Sequence, residues 1–324
     1  MGARGPITVR ETMYRILTDK DIDRIITAET AINAIEQALR ARATGALIAP
    51  PRFSVGADSG ALVFTAGGET AHSKSLGFRV YDTFGGKSPD RTQLVAVFDS
   101  QTGNFKGLVI GVLVGALRTA SINAIAIKYM ARSDAKNLGI LGSGLQARYH
   151  MQAAMVVRPF EYARVHSPTA SHREAFAAEM SDRADIRVEA VQSSEEVVRY
   201  SDVLICATNS STPVFDAGWL KPGMHINTIG PKFKEAHELS TEVAQNSHMI
   251  VTDSLDQVDS YPKPFFLLDT PERNRMVELS EIVVGRQRGR LSVTDITLFC
   301  SVGLAGTEVV LANEALIQAN SQLD

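Results

Sequence analysis

The sequence predicts an α/β fold in which a mixed, β-rich region precedes a doubly wound parallel sheet. Three observations carry that expectation. A short apolar strand at 137–141 runs straight into a Gly-x-Gly-x-x-Ala turn. From there to about residue 253, apolar β-like runs alternate with helix-like stretches. Between Pro50 and Leu113, β-rich runs follow one another between Gly, Pro and Asp clusters with no long helix among them.

The elements follow in order. Thr18-Asp19 opens a helix over the apolar-periodic DIDRIIT, and Thr30 opens a second over AINAIEQALRARATG that ends near Gly45. ALVFTAGG, LGFRVYDTF, TQLVAVFD and KGLVIGVL are the strands of an antiparallel or mixed sheet. Thr119 to Tyr129 is a helix rich in Ala and Ile. LGILGSG, YARVHS, DVLICAT, HINTIG and HMIVTD supply parallel strands, with Ala147 to Val157 the helix after the first of them. A last helix, from about Phe299 to Gln318, follows the Thr294-Asp295 pair.

The 324 residues allow two domains or one elaborated one. Hydrophobic residues make up 44% and charged residues 21%, with a formal net charge of −3, which excludes a disordered chain, a nucleic-acid-binding field and an acidic tail. No apolar run approaches the ~20 residues that span a bilayer, and MGARGPITVRETMYR lacks the apolar core of a signal peptide, so a cytoplasmic protein is expected. Gly2 would admit myristoylation, but Pro6 stands where Ser or Thr is wanted. Cys206 and Cys300 each sit in an apolar segment and read as core cysteines, with no disulfide framework and no metal site expected.

The turn NLGILGSGLQA is the first functional signal. Leu138, Ile140 and Leu141 have the character of a buried parallel strand. Gly142 permits the tight turn, Gly144 lets the backbone approach a pyrophosphate, and Ala147 allows close helix packing. The helix that follows would offer free N–H groups to the phosphate. At the end of the second strand, where a carboxylate would bind an NAD ribose, YARVHSPTASHR has none. Ser167, Thr169 and Ser171, with His172 and Arg173 beyond, suit a 2′-phosphate better, so NADPH is favoured over NADH; the bland alternative is that these residues cap the next helix. Arg52, Arg79 and Arg118 each interrupt an apolar or Gly-rich context. A guanidinium there needs a partner, either an internal carboxylate or an anionic substrate, and three together point to a carboxylic acid ligand.

ALRTASINAIAIKYMA leading into LGILGSGLQARYHMQA, then LICATNSSTPVFDAGWLKPGMHINTIG and ITLFCSVGLAGTEVV, resemble the ornithine cyclodeaminase and μ-crystallin family, which includes ketimine reductases and some amino-acid dehydrogenases. The resemblance runs through almost the whole chain. It implies a homodimer built from a Rossmann NAD(P)-binding domain over 121–299 and a mixed α+β substrate-binding and dimerisation domain over 1–120, completed by the C-terminal helix at 300–324. It places the nicotinamide in the cleft between them. By the same resemblance Arg52 and Arg118 bind the substrate carboxylate and Thr92 and Thr119 lie near cofactor and substrate. Arg79 takes the place of the family's active-site lysine, with Lys74 as the alternative. Gly142, Ser143, Gly144, Leu145, Gln146 and Ala147 would line the pyrophosphate, Thr208 would lie under the cofactor, and Ser301 to Gly303 would approach the nicotinamide.

One departure changes the chemistry. At IGPKFKEAHEL the family's cyclodeaminases have a proton-handling aspartate, whereas this chain has Pro231-Lys232. An unperturbed ammonium, with a pKa near ~10.4, is a donor and repels a cationic diamine. Lys232 and Arg79 therefore favour a neutral or acidic imino acid over ornithine or lysine. Lys232 either turns inward, where it could bind a second anionic group or polarise the imine nitrogen, or is a solvated loop lysine. His72 and His237 are secondary proton-donor candidates. The expected activity is NAD(P)H-dependent reduction of an imino acid or cyclic ketimine such as Δ1-pyrroline-2-carboxylate, reversible as an amino-acid dehydrogenase. The alternatives are a cyclodeaminase using another base and a non-catalytic protein that binds NADPH or a small ligand.

Overall fold

A computed structural model describes residues 14–84, 93–261 and 263–321 of the chain. Thr92, Gly2 and most of the N-terminal segment read above lie outside the described residues. The first sheet has seven strands: β1 (Arg15–Thr18), β2 (Leu47–Ile48), β3 (Phe53–Ala57), β4 (Gly60–Glu69), β5 (Ser75–Asp82), β6 (Leu94–Asp99) and β7 (Phe105–Ile110). Its order is β1-β7-β6-β5-β4-β2, with β3 also on β4; β1 and β7 are parallel and every other pair is antiparallel. This is the mixed sheet expected from the alternating runs.

The second sheet is wholly parallel. Its strands are β8 (Asn137–Leu141), β9 (Tyr162–His166), β10 (Arg187–Ala190), β11 (Val203–Cys206) and β12 (His225–Thr228). After a small hairpin of β13 (Lys232–Phe233) and β14 (Ala236–His237), it is completed by β15 (Met249–Thr252), β16 (Met276–Glu278) and β17 (Thr297–Cys300). The order β10-β9-β8-β11-β12-β17-β15-β16 reverses between β8 and β11, and the C-terminal ends of strands at such a switch point form a ligand crevice.

The helices are α1 (Asp19–Ile25), α2 (Ala28–Ala43), α3 (Leu113–Met130), α4 (Leu145–Val157), α5 (Ala170–Ala184), the short α6 (Ser194–Tyr200), α7 (Thr241–Gln245), α8 (Leu255–Asp259) and α9 (Leu279–Val283), and α10 (Thr307–Ser321). α10 lies across β4 to β7 and against α2 and α3, while α3 also reaches β12 and β17. Buried apolar side chains from α2, α3, α10 and the inner face of the first sheet form one continuous core. No helix among the described residues is long and apolar enough to cross a membrane.

Four boundaries differ from the sequence expectation. α2 starts at Ala28, not Thr30, because Thr27 is the cap: its hydroxyl accepts from Thr30 N at 3.1 Å. α3 starts at Leu113, not Thr119, because its first N–H groups are capped from far away. Asp19 accepts from Val112 N at 2.9 Å and from Leu113 N at 2.8 Å, so no local capping residue marks the start. Thr297–Cys300, whose last two residues were expected in the C-terminal helix, is a fully buried strand between β12 and β15. A short apolar run has no periodicity to separate strand from helix. Gly303 (φ +93°) and Gly306 (φ +81°) turn the chain before α10 begins at Thr307. Asp295, read as part of a helix start, instead accepts from Leu291 N and Ser292 N and closes the preceding turn.

Candidate active site

A cleft of about 1280 Å³ opens where the C-terminal ends of β8, β11, β12 and β17 face β5 and the start of α3. It exceeds the ~300–1,000 Å³ typical of a single drug-sized ligand, which leaves room for a dinucleotide and a second molecule.

At one end lies the glycine turn. Gly142 has φ +106°, and a Cβ there would stand 2.4 Å from the Ala207 carbonyl oxygen, so the turn against β11 requires glycine. A Cβ on Gly144 would meet nothing within 4 Å, and Gly144 caps α4 without any side-chain bond. The backbone is thus open to the cleft where the helix N-terminus carries partial positive charge, an arrangement that fits a pyrophosphate. Ser143, Leu145 and Gln146 line the same end, whereas Ala147 is fully buried beneath it.

Beyond the end of β9, Ser167, Thr169 and His172 line the cleft. The Ser143 and Ser167 hydroxyls are 2.9 Å apart, and Thr169, at the N-cap position of α5, makes no capping bond with its side chain. The structure does not bring Arg173 to the cleft wall. Its guanidinium donates to Ser167 O at 3.1 Å and to Gln192 Oε1 at 2.6 Å, holding the turn from behind.

The other end is positive. Arg52, Arg79 and Arg118 all line it, and Thr119, Thr208, Ser301 and Gly303 also belong to the cleft wall. Arg79 and Arg118 share one carboxylate oxygen of Glu308, at 3.1 and 2.9 Å. Arg79 is further held by Gln93 Oε1 at 2.9 and 2.6 Å and stands 4.4 Å over the Tyr81 ring. Arg52 donates to Gln257, Tyr81, Tyr261 and the Val302 carbonyl. Arg118 Nε and Nη1 and Glu308 Oε2 have no hydrogen-bond partner among the described residues. Burial disfavours the Glu308 charge, yet Arg118 and Arg79 outweigh it and hold its pKa below the usual carboxylate range. Burial pushes the Arg79 pKa down against the pull of Glu308. Two guanidiniums facing one carboxylate leave an excess of positive charge and open donors, the chemistry that takes a further carboxylate. An added Cβ on Gly303 would come within 3.3 Å of Arg52 Nη2 and 3.5 Å of Arg118 Nη1, so these two converge there.

Lys232 is buried, lines the cleft and donates to the Gly230 carbonyl. Burial lowers its pKa and Glu238 pulls it back up. Lys74 is exposed, in a turn at φ +46°, and belongs to no part of the cleft wall. His72 is exposed as well, and His237 is occupied with the Phe233 carbonyl at 2.9 Å and the Phe266 ring. Three carboxylates at this end escaped the sequence reading: Glu308, Glu238 and Asp253, the last accepting from Val302 N and Gly303 N. Their closest partners are distant in sequence or are backbone groups, so no local pattern marked them.

A model of the ornithine cyclodeaminase/mu-crystallin family matches residues 12–320. A Delta(1)-pyrroline-2-carboxylate reductase of Bacillus cereus is 30% identical over 226 residues, 68% of this chain and 68% of that protein. The solved Delta(1)-pyrroline-2-carboxylate reductase of Thermococcus litoralis, in complex with NADH and L-proline, superposes with a TM-score of 0.88 at 30% identity, covering 95% of this chain and 98% of that one. An archaeal alanine dehydrogenase dimer with bound NAD does so with a TM-score of 0.87 at 26% identity, covering 96% and 97%. With a family model spanning nearly all of it, the chain belongs to the ornithine cyclodeaminase/mu-crystallin family.

Proposed function

We propose that this oxidoreductase reduces the C=N bond of an imino acid or cyclic ketimine carboxylate, and in reverse oxidises the amino acid. The observation that carries the reading is a single cleft with an open phosphate turn at one end and converging, under-compensated arginines at the other. NADPH, held by Gly142 to Gln146, Ser167, Thr169, Thr208 and Ser301, would supply the hydride. Arg118 and Arg52 bind the substrate carboxylate beside Gly303 and fix the imine carbon, so that positioning supplies much of the rate. Lys232 directs a hydrogen bond at the imine nitrogen, which gains a proton as its carbon gains hydride. Arg79, tied to Gln93 and Glu308, braces Arg118 and keeps cationic diamines out. A neutral or acidic imino acid is the expected substrate class. NADPH is favoured because the lining residues that follow β9 are Ser167, Pro168, Thr169 and His172, hydroxyls and an imidazole in place of a carboxylate. The active species is a homodimer through the first sheet.

The test follows NADPH and NADH absorbance separately with Δ1-pyrroline-2-carboxylate, Δ1-piperideine-2-carboxylate and keto-acid plus amine mixtures, alongside ornithine with NAD⁺. Imine-dependent oxidation without ornithine turnover is expected. Ammonia release from ornithine would overturn the reductase reading, and cofactor binding with no turnover across the panel would favour a binding protein.

A further inference from the structure

The hairpin β13–β14 delivers two ionisable groups to the floor of the cleft from one short loop. Lys232 leads in, and Glu238, directly after β14, returns beneath the strand ends. Glu238 is wholly buried. Its Oε2 accepts from Thr208 N at 3.0 Å and Thr208 Oγ1 at 2.7 Å. Its Oε1 accepts from Thr228 Oγ1 at 2.7 Å, Ile229 N at 3.0 Å and Gly230 N at 2.6 Å. One carboxylate therefore ties the end of β11 to the end of β12, and of the residues it holds Thr208, Ile229 and Gly230 line the cleft. The fit is close: a Cβ on Gly230 would stand 2.3 Å from Glu238 Oε2. Gly230 is gripped from both sides, since its N–H goes to Glu238 and its carbonyl accepts from Lys232.

We propose that Glu238 is the positioning residue of this cleft: a buried carboxylate that pins Thr208 and Gly230 as the cofactor floor and, through Gly230, seats the Lys232 ammonium toward the substrate. The Lys232 half rests on the imine-reductase reading and the cofactor half does not. The groups facing Lys232 are Glu238, Asp253 after β15, Cys300 at the end of β17, Cys206 at the end of β11, Arg52 and, from α4, His150. Burial depresses the Lys232 pKa, and Glu238 comes first among the groups that oppose it. Removing the Glu238 charge should lower that pKa further. A reaction that needs the ammonium then loses its alkaline limb at lower pH.

The experiment is a cycle of Glu238→Gln, Lys232→Met and the double variant in the full-length protein. NADPH binding is read by fluorescence, kcat against pH by imine reduction, and folding by melting temperature. Glu238→Gln should weaken NADPH binding about tenfold, and its kcat should fall about tenfold or more with the alkaline limb displaced to lower pH. In the Lys232→Met background it should cost kcat less than about threefold more, because the two act as a unit. An NADPH affinity within about twofold of the wild type, an unmoved alkaline limb, or fully multiplicative kcat losses would each overturn the proposal. If Glu238→Gln does not fold, Glu238→Asp takes its place. Having kept the charge but withdrawn it by one methylene, it should weaken NADPH binding and leave the alkaline limb where it is; unchanged NADPH binding overturns the proposal here too. If the wild type binds NADPH but oxidises it with no imine, the reductase reading fails by itself. The NADPH affinity of a stably folded Glu238 variant still decides what Glu238 does.

Discussion

An added Cβ at Gly142 would press on the Ala207 carbonyl at 2.4 Å and force an L side chain into φ +106°, whereas one at Gly144 would enter open space with an ordinary backbone conformation. The two glycines of one motif thus differ: the protein's own packing demands the first, and no contact within the protein demands the second. Gly142→Ala is expected to destabilise the fold by about 1–3 kcal/mol. Gly144→Ala should cost at most about 1 kcal/mol of stability yet weaken NAD(P)H binding about tenfold or more, since the methyl would fill the space a pyrophosphate needs. Melting temperatures and NADPH fluorescence titrations check both, and a Gly144→Ala protein that binds NADPH normally would remove the phosphate assignment. This turn was legible because its constraints are local. The arginines were legible as anomalies, charges set in apolar or Gly-rich surroundings, but their partner was not: Glu308 lies 229 residues from Arg79. For Arg79 and Arg118 the internal-carboxylate alternative is the one observed, with a single carboxylate serving two guanidiniums.

Among the elements, α3 has a large stake in the cleft, because it carries Arg118 and Thr119 and packs against β12 and β17 as well as α2 and α10. Its start depends on Asp19, which takes the N–H groups of Val112 and Leu113, and Gly111 is kept free of a side chain because a Cβ there would fall 2.1 Å from Asp19 Oδ1. Asp19→Ala strands two backbone donors and is expected to destabilise the protein by about 1–3 kcal/mol, a few degrees in melting temperature at this size. An unchanged melting curve would mean that water caps the helix equally well. The same contact explains where element reading fell short. Long amphipathic helices and alternating strands declare themselves through periodicity, so the two-sheet plan was visible. A helix capped from across the molecule declares no start, and the four buried residues of β17 carry no period at all. The strands β10 and β16 are short and partly charged, and only their neighbours in the parallel sheet make them strands.

For the whole molecule, the first sheet is covered on one face only among the described residues. Its inner face meets α2, α3 and α10, while Ile16, Phe53, Val55, Leu62 and Phe78 point outward from the other, with Ile16, Phe53 and Val55 each more than half exposed. Pairing makes them neighbours: Phe53 stacks on Phe64 at 5.2 Å, Phe64 pairs with Val80, Phe78 with Ala96, and Ile16 with Leu108. Large contiguous apolar faces are unusual on monomers, and a second copy of the sheet is expected to cover this one, two such faces packing about 10 Å apart. The antiparallel strands also carry Arg79 and Tyr81 on the inner face, so sheet-to-sheet contact would stiffen the wall of the cleft from behind. Sedimentation or light scattering at micromolar concentration should give twice the 35.0 kDa chain mass. Phe53→Lys with Phe78→Lys should give the single-chain mass, because burying two ammonium groups from each chain in an apolar interface costs several kcal/mol. Arg79 and Arg118 sit on the far side of the sheet, so the monomeric variant should still bind NADPH while its KM for the imine rises with loss of the stiffened wall. A double variant that remains dimeric would move the interface elsewhere, and a wild-type chain that sediments as a monomer would leave the exposed face to another partner.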